Sequence, residues 1–122
     1  MLTKIIAHRG SKGIRPENTL PAFEKAIDEG ADGIETDVHM SKDGHLIIMH
    51  DETVDRTTDG TGRIFDKTLA ELKQLDAGGY FGYEFLGTRI PTLDEVVKFL
   101  IEKNYKGLFN LELKTDKIQY PG

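Results

Sequence analysis

Gly33-Ile34-Glu35-Thr36-Asp37-Val38-His39-Met40, then Ser41-Lys42-Asp43-Gly44-His45, then Leu46-Ile47-Ile48-Met49-His50, is the stretch on which the fold turns. Residues 33–40 read as a strand, in which side chains two apart share a face. Glu35, Asp37 and His39 therefore lie on one face, and Ile34, Thr36 and Val38 on the other. Asp43-Gly44 is a strong two-residue hairpin signal, and Leu46–Met49 supplies the returning apolar run. With Asp43 and Gly44 as the two turn residues, Lys42 faces His45 and Asp37 faces His50. On that register His50 belongs beside the Glu35/Asp37 pair.

On the N-terminal side, residues 3–8 read as a strand built on Ile5, Ile6 and Ala7 and ending in His8-Arg9-Gly10. A loop with Gly13 and Pro16 follows. Thr19 is placed to cap a helix, Pro21 suits its first turn, and Leu20, Phe23, Ala26 and Ile27 form its apolar stripe, which Gly30 ends. On the C-terminal side, residues 51–67 are loop-like. Thr68 with Glu71 is a capping box for a short helix to about Leu75. A glycine-rich loop follows, and Thr92 with Glu95 is a second capping box. Leu93, Val96, Val97, Leu100 and Ile101 then keep helical period, and residues 107–113 read as another strand. Strands alternating with helices imply an α/β fold with parallel pairing. No internal repeat and no low-complexity tract interrupts the pattern.

A chain of 122 residues with 38% apolar and 30% charged residues suggests one folded domain. Its net charge of −5, without a basic run, argues against nucleic-acid and anionic-membrane partners. The absence of cysteine excludes disulfides, zinc–thiolate sites and cysteine nucleophiles. The first eight residues carry no leader pattern, and nothing later is long enough for stable membrane insertion, so a cytoplasmic protein is the expectation.

The last strand repeats the theme of the second. Asn110, Glu112 and Lys114 share one face, and Phe109, Leu111 and Leu113 the other. If the apolar faces pack on helices, two strands present acids to a common interior, which is costly without partners. His8 ends a neighbouring strand. Three carboxylates make a hard oxygen site suited to Mg²⁺ or Ca²⁺. Arg9 and Lys114 fit two roles, charge partners of the acids or phosphate contacts. Two histidines suit acid–base work near neutral pH. Taken alone, His8 and His50 would read as structural histidines, a reading that the motif context reverses. Glu35 and Asp37 alone fit a solvated strand face as well as a metal site, and Glu112, arriving on a separate strand with the same parity, favours the metal. His39 and His45 read as ordinary hairpin residues. Asn18 is placed to orient the first loop. Phe81, Tyr83 and Phe85 suit either a pocket wall or burial.

His8-Arg9-Gly10, Pro16-Glu17-Asn18-Thr19, Glu35-Thr36-Asp37-Val38, Lys42-Asp43-Gly44, His50-Asp51 and Glu112-Leu113-Lys114, in this order and spacing, resemble the glycerophosphodiester phosphodiesterase family. The resemblance implies a (β/α)₈ TIM barrel related to the phosphoinositide-specific phospholipases C. This chain would cover the first three barrel strands, a hairpin run and the family insertion at about 52–90. It also implies Glu35, Asp37 and Glu112 as metal ligands, His8 and His50 as the acid–base pair and Arg9 as a phosphate contact. The implied reaction is metal-dependent hydrolysis of a small-molecule glycerophosphodiester to sn-glycerol 3-phosphate and an alcohol. A related lyase releasing a cyclic phosphate fits the pattern less well. A full barrel of this kind runs to about 250 residues. The alternative expectation is therefore a non-catalytic half-barrel that binds a phosphodiester, or one that completes its sheet by self-association or with another subunit.

Overall fold

The computed structural model describes residues 6–10 and 13–113. At its centre is the strand β2, Gly33–Met40. β2 pairs in parallel with β1, Ile6–His8, along its first half, in the register Ile6↔Gly33 to His8↔Glu35. It pairs in parallel with the last strand, Leu108–Leu113, in the register Gly33↔Leu108 to Val38↔Leu113. The short strand Leu46–Ile48 pairs antiparallel with the end of β2. In chain order these two are β4 and β3. Because β4 occupies one edge of β2 throughout, β1 and β3 share the other edge, β3 beyond the point where β1 stops.

In-register neighbours face the same way, so the sheet carries cross-strand layers. Ile6, Gly33 and Leu108 form the first, His8, Glu35 and Asn110 the second, and Asp37 with Glu112 the third. The inner face thus changes from apolar to charged toward the C-terminal strand ends. The opposite face carries Ile34 and Val38, both fully buried, under α1 (Leu20–Asp28) and α3 (Leu93–Glu102). Phe23, Ala26, Val96 and Leu100 from the helices join Ile34, Val38 and Ile48 in this core. Full burial of a side chain the size of Phe23 contributes about 2–3 kcal/mol.

The helix signals act as read, with one exception. Both capping boxes form, Thr68/Glu71 on α2 (Leu69–Lys73) and Thr92/Glu95 on α3. Gly30, at φ +76°, ends α1 in the left-handed conformation that favours glycine. Thr19 stands at the N-cap of α1 but makes no side-chain cap; its hydroxyl donates to the Pro16 carbonyl across 2.6 Å and ties the preceding loop instead.

The hairpin differs from the two-residue expectation. Ser41 N–H donates to His45 O, and Gly44 N–H to Ser41 O, so Lys42, Asp43 and Gly44 form a three-residue loop with Gly44 at φ +87°. The Ser41 hydroxyl drives this choice by donating to Asp43 Oδ1 while accepting from His45 N–H. The register moves by one residue: Val38 faces Ile48, and Met49 N–H, not a group of His50, donates to Asp37 O. A shift of one residue exchanges the two faces of a strand. The cross-strand pairing expected for Asp37 and His50 does not exist.

Two apolar expectations are corrected as well. Val97 and Ile101 stay exposed because α3 turns only its Val96–Leu100 side to the sheet, and Leu111 is exposed on the edge strand β4. Between β3 and α3 the chain builds a second small core, in which Val54, Ile64, Leu72 and Ala77 pack on Ile47, Met49 and Ile90. From this segment Arg56 reaches Glu17 in the loop after β1. Among the described residues no helix is long and apolar enough to cross a membrane.

Candidate metal and phosphate site

Alternation along β2 puts Glu35 and Asp37 on the inner face, and the parallel register sets Glu112 of β4 beside Asp37. One carboxylate oxygen from each of the three lies within 4.8 Å of the others. Asp37 is fully buried, Glu35 is partly buried, and Glu112 opens to solvent. Burial, and then the negative charge of Asp37, raise the Glu35 carboxyl above its ordinary range; His8 opposes them, and Glu112 adds a smaller push upward. Glu35 Oε1 is buried and accepts no hydrogen bond. A buried carboxylate oxygen that accepts no hydrogen bond, in a cluster of mutually repelling acids, suits a cation ligand. The all-carboxylate donor set fits a hard divalent cation.

The loop after β1 brings cations to the same place. Arg9 N–H continues the parallel ladder by donating to Glu35 O at 2.7 Å. Arg9 then takes a left-handed φ of +60°, a conformation uncommon for residues other than glycine. Its side chain swings to the acids, with Nε 3.7 Å from Asp37 Oδ2 and Nη1 donating to Glu17. The His8 ring sits beside Glu35, Nε2 to Oε1 3.3 Å, and is half exposed. Asn18, buried and also left-handed at φ +55°, donates from Nδ2 to Asp37 Oδ2 at 3.2 Å and accepts from Thr36 Oγ1 at 2.6 Å. Reaching residues on both faces of β2, Asn18 lies at the strand edge just past the end of β1.

His50 arrives by another route than the hairpin register. The buried His39, on the inner face of β2, donates from Nε2 to the His50 carbonyl at 3.1 Å. A carbonyl only accepts, so this nitrogen carries the proton. His50 Nδ1 lies 2.9 Å from Asp51 Oδ1. Hydrogen bonding from Arg56 comes first among the causes that hold the Asp51 carboxyl down at about 2, so it is ionised and accepts; His50 Nδ1 therefore bears the proton and Nε2 is left with the lone pair in the neutral ring. Arg56 also donates to both Glu17 oxygens at 3.0 Å. Burial pushes the Glu17 carboxyl up, but Arg56 and Arg9 together outweigh it and the net shift is downward.

Six of the seven residues singled out from the sequence lie in the described region. His8, Arg9, Glu35, Asp37 and Glu112 converge directly, while His50 is tied to them through Asp51, Arg56 and Glu17 and lines one small cavity with Glu17 and Asn18. Lys114 lies outside the described residues. His39, read as an ordinary residue near the hairpin, is a buried structural anchor. Glu17, Asp51 and Arg56 went unread as site residues. Asp51 follows His50 directly, which is a usable signal, but Arg56 sits in an aperiodic loop that carries none.

Known proteins resemble this chain in sequence and fold. The model of the glycerophosphoryl diester phosphodiesterase family matches residues 8–120. A glycerophosphodiester phosphodiesterase of Caldanaerobacter subterraneus subsp. tengcongensis is 54% identical over 122 residues, 100% of this chain and 49% of that protein. Among solved structures, the glycerophosphodiester phosphodiesterase of Agrobacterium tumefaciens str. C58 superposes with a TM-score of 0.86 at 44% identity, covering 92% of this chain and 47% of the other. A phosphodiesterase of Oleispira antarctica, solved in complex with the product sn-glycerol-3-phosphate, gives 0.86 at 48% identity, covering 93% and 45%. The chain spans about half the length of the curated relatives it matches. Its three parallel strands are a segment of the barrel these structures share, and with that fold, these motifs and this identity the chain belongs to the glycerophosphoryl diester phosphodiesterase family.

Proposed function

We propose that this chain carries the catalytic centre of a metal-dependent phosphodiesterase that hydrolyses glycerophosphodiesters to sn-glycerol 3-phosphate and an alcohol. The observation that carries the proposal is the convergence of Glu35, Asp37 and Glu112 within 4.8 Å, with His8 and Arg9 against them. The product bound to the Oleispira antarctica relative supports the same substrate class.

Glu35, Asp37 and Glu112 hold one divalent cation, Mg²⁺ or Ca²⁺, which when bound stabilises negative charge developing on the phosphoryl oxygens. Arg9 contacts a phosphate oxygen, and Lys114 is the second cation assigned to that role. His8 and His50 divide the proton transfers: one takes the proton of the attacking hydroxyl and the other protonates the departing alkoxide. Attack by water gives glycerol 3-phosphate directly, whereas attack by the neighbouring glycerol hydroxyl gives a cyclic phosphate that a water, deprotonated in the same way, then opens. The segment at 52–90 shapes the wall against which the alcohol sits.

Release of sn-glycerol 3-phosphate from glycerophosphocholine by this chain, with and without Mg²⁺ or Ca²⁺ and with His50→Ala as control, tests the proposal. Cation-dependent release that the variant lacks supports it. Equal release by both proteins would remove His50 from the mechanism.

A second reading is favoured by the exposure of Ile6, Leu108 and Leu111 on the sheet: a half-barrel that pairs with another subunit and binds a phosphodiester without cleaving it. Equilibrium binding of glycerophosphocholine without turnover, by a chain that sedimentation shows to be paired, supports this reading instead.

A further inference from the structure

We propose that Arg56 is a positioning residue that holds the two sides of the site together: through Asp51 it sets the tautomer and orientation of the His50 imidazole, and through Glu17 it keeps the Arg9 guanidinium against Asp37. The catalytic consequence rests on the phosphodiesterase function proposed above; the geometric part stands on its own observations.

Arg56 makes four side-chain hydrogen bonds to two carboxylates. Nε and Nη2 donate to Asp51 at 2.8 and 3.1 Å, and Nη1 and Nη2 donate to Glu17 at 3.0 Å each. Four of its five N–H groups are thereby engaged in one plane, a geometry that guanidinium supplies and an ammonium does not. The bonds join segments 39 residues apart, the loop after β1 and the loop after β3. Each carboxylate passes the constraint on. Asp51 accepts from His50 Nδ1 at 2.9 Å, which leaves Nε2 as the free nitrogen of the neutral ring. Glu17 accepts from Arg9 Nη1 at 3.3 Å on Oε2, while Arg9 Nε stays 3.7 Å from Asp37. One cation thus orients a candidate acid–base group and a candidate phosphate contact. Without it, Asp51 and Glu17 keep their charges and lose the group that holds them together.

The experiment is ¹⁵N–¹H correlation spectroscopy of the [¹⁵N]histidine-labelled chain at neutral pH, the His50 signals being identified by their loss in His50→Gln. In the unsubstituted chain the neutral His50 ring should be mainly the Nδ1–H form; a mainly Nε2–H ring there overturns the proposal whatever the variants do. In Arg56→Lys, which keeps the charge and loses the planar fork, the Nδ1–H to Nε2–H ratio should fall about tenfold, the equivalent of one hydrogen bond. Arg56→Met should lower it at least as far. Ratios unchanged in both variants overturn the proposal. Should neither variant fold, high salt applied to the unsubstituted chain weakens the half-exposed Arg56 pairs and must lower the ratio; constancy there overturns it equally. Glycerophosphodiester turnover is read alongside: kcat should fall in Arg56→Lys more than KM rises. Absence of turnover in every protein, the unsubstituted chain included, speaks against the proposed function and leaves the histidine result intact.

Discussion

Asn18 Nδ2 donates to Asp37 Oδ2 across 3.2 Å while its Oδ1 accepts from Thr36, and all three side chains are buried. A loop residue thus holds a strand carboxylate in place from the side, in a left-handed backbone conformation that asparagine tolerates better than most residues. Asn18→Leu removes both bonds and leaves the Thr36 hydroxyl and an Asp37 oxygen buried without the amide. The expected loss is about 2–4 kcal/mol, from unsatisfied buried groups and from backbone strain. Asn18→Gly keeps the backbone comfortable and loses only the amide, so it should cost less. Urea titration of both variants measures the difference, and equal stability of Asn18→Leu and the parent would contradict it.

The Glu35 carboxyl is raised by its burial and by Asp37 and Glu112. Its sign follows from linkage: stability is fully present below the ordinary value of 4.5 and is lost as pH rises through the higher folded value. Without divalent cation, Glu35→Gln should therefore melt higher than the parent at neutral pH. With Mg²⁺ or Ca²⁺ the parent should gain melting temperature and the variant should gain much less, because the ion replaces the repulsion in one and finds a missing ligand in the other. Melting curves of both proteins with and without the ions decide it; a metal increment of equal size in both would remove Glu35 from the metal centre.

The inner-face chemistry of β2 and β4 was legible because strand alternation is a local rule, and Glu35, Asp37 and Glu112 obey it. The capping boxes at Thr68 and Thr92 were legible for the same reason. Register was not. Asp43-Gly44 signals a turn, but its length depends on the Ser41 hydroxyl, which bonds Asp43 and His45 and extends the loop to three residues. His50 was placed at the site by an incorrect pairing and stands there through Asp51 and Arg56 instead. Arg56 reaches Glu17 across 39 residues, and no periodic pattern encodes a contact of that kind.

Asp76 closes the glycine-rich loop that follows α2. Its carboxylate accepts from the backbone N–H of Gly78, Gly79 and Gly87, and these bonds hold its carboxyl below the ordinary range. With the folded value depressed, the contribution is present above 3.8 and is lost as pH falls through the lower folded value. Asp76→Ala should speed amide exchange at all three glycines by roughly tenfold or more at fixed pH, while amides of β2 keep their protection. A loop held by something other than this carboxylate would show unchanged exchange.

Ile101 is 72% exposed on α3, and Leu111 is 43% exposed on the edge strand β4. If Leu111, on a strand edge that has no further partner among the described residues, and Ile101 on α3 lie in a contact between copies of the chain, association should depend on them. The sedimentation-average mass of the parent should rise with concentration. Leu111→Lys puts a charge on the edge strand and should suppress that rise, whereas Ile101→Lys should suppress it only if α3 also lies in the contact. Neither substitution removes a buried group, so each should change unfolding free energy by no more than about 0.5 kcal/mol at low concentration. A parent of constant monomer mass across the range would end the case for pairing.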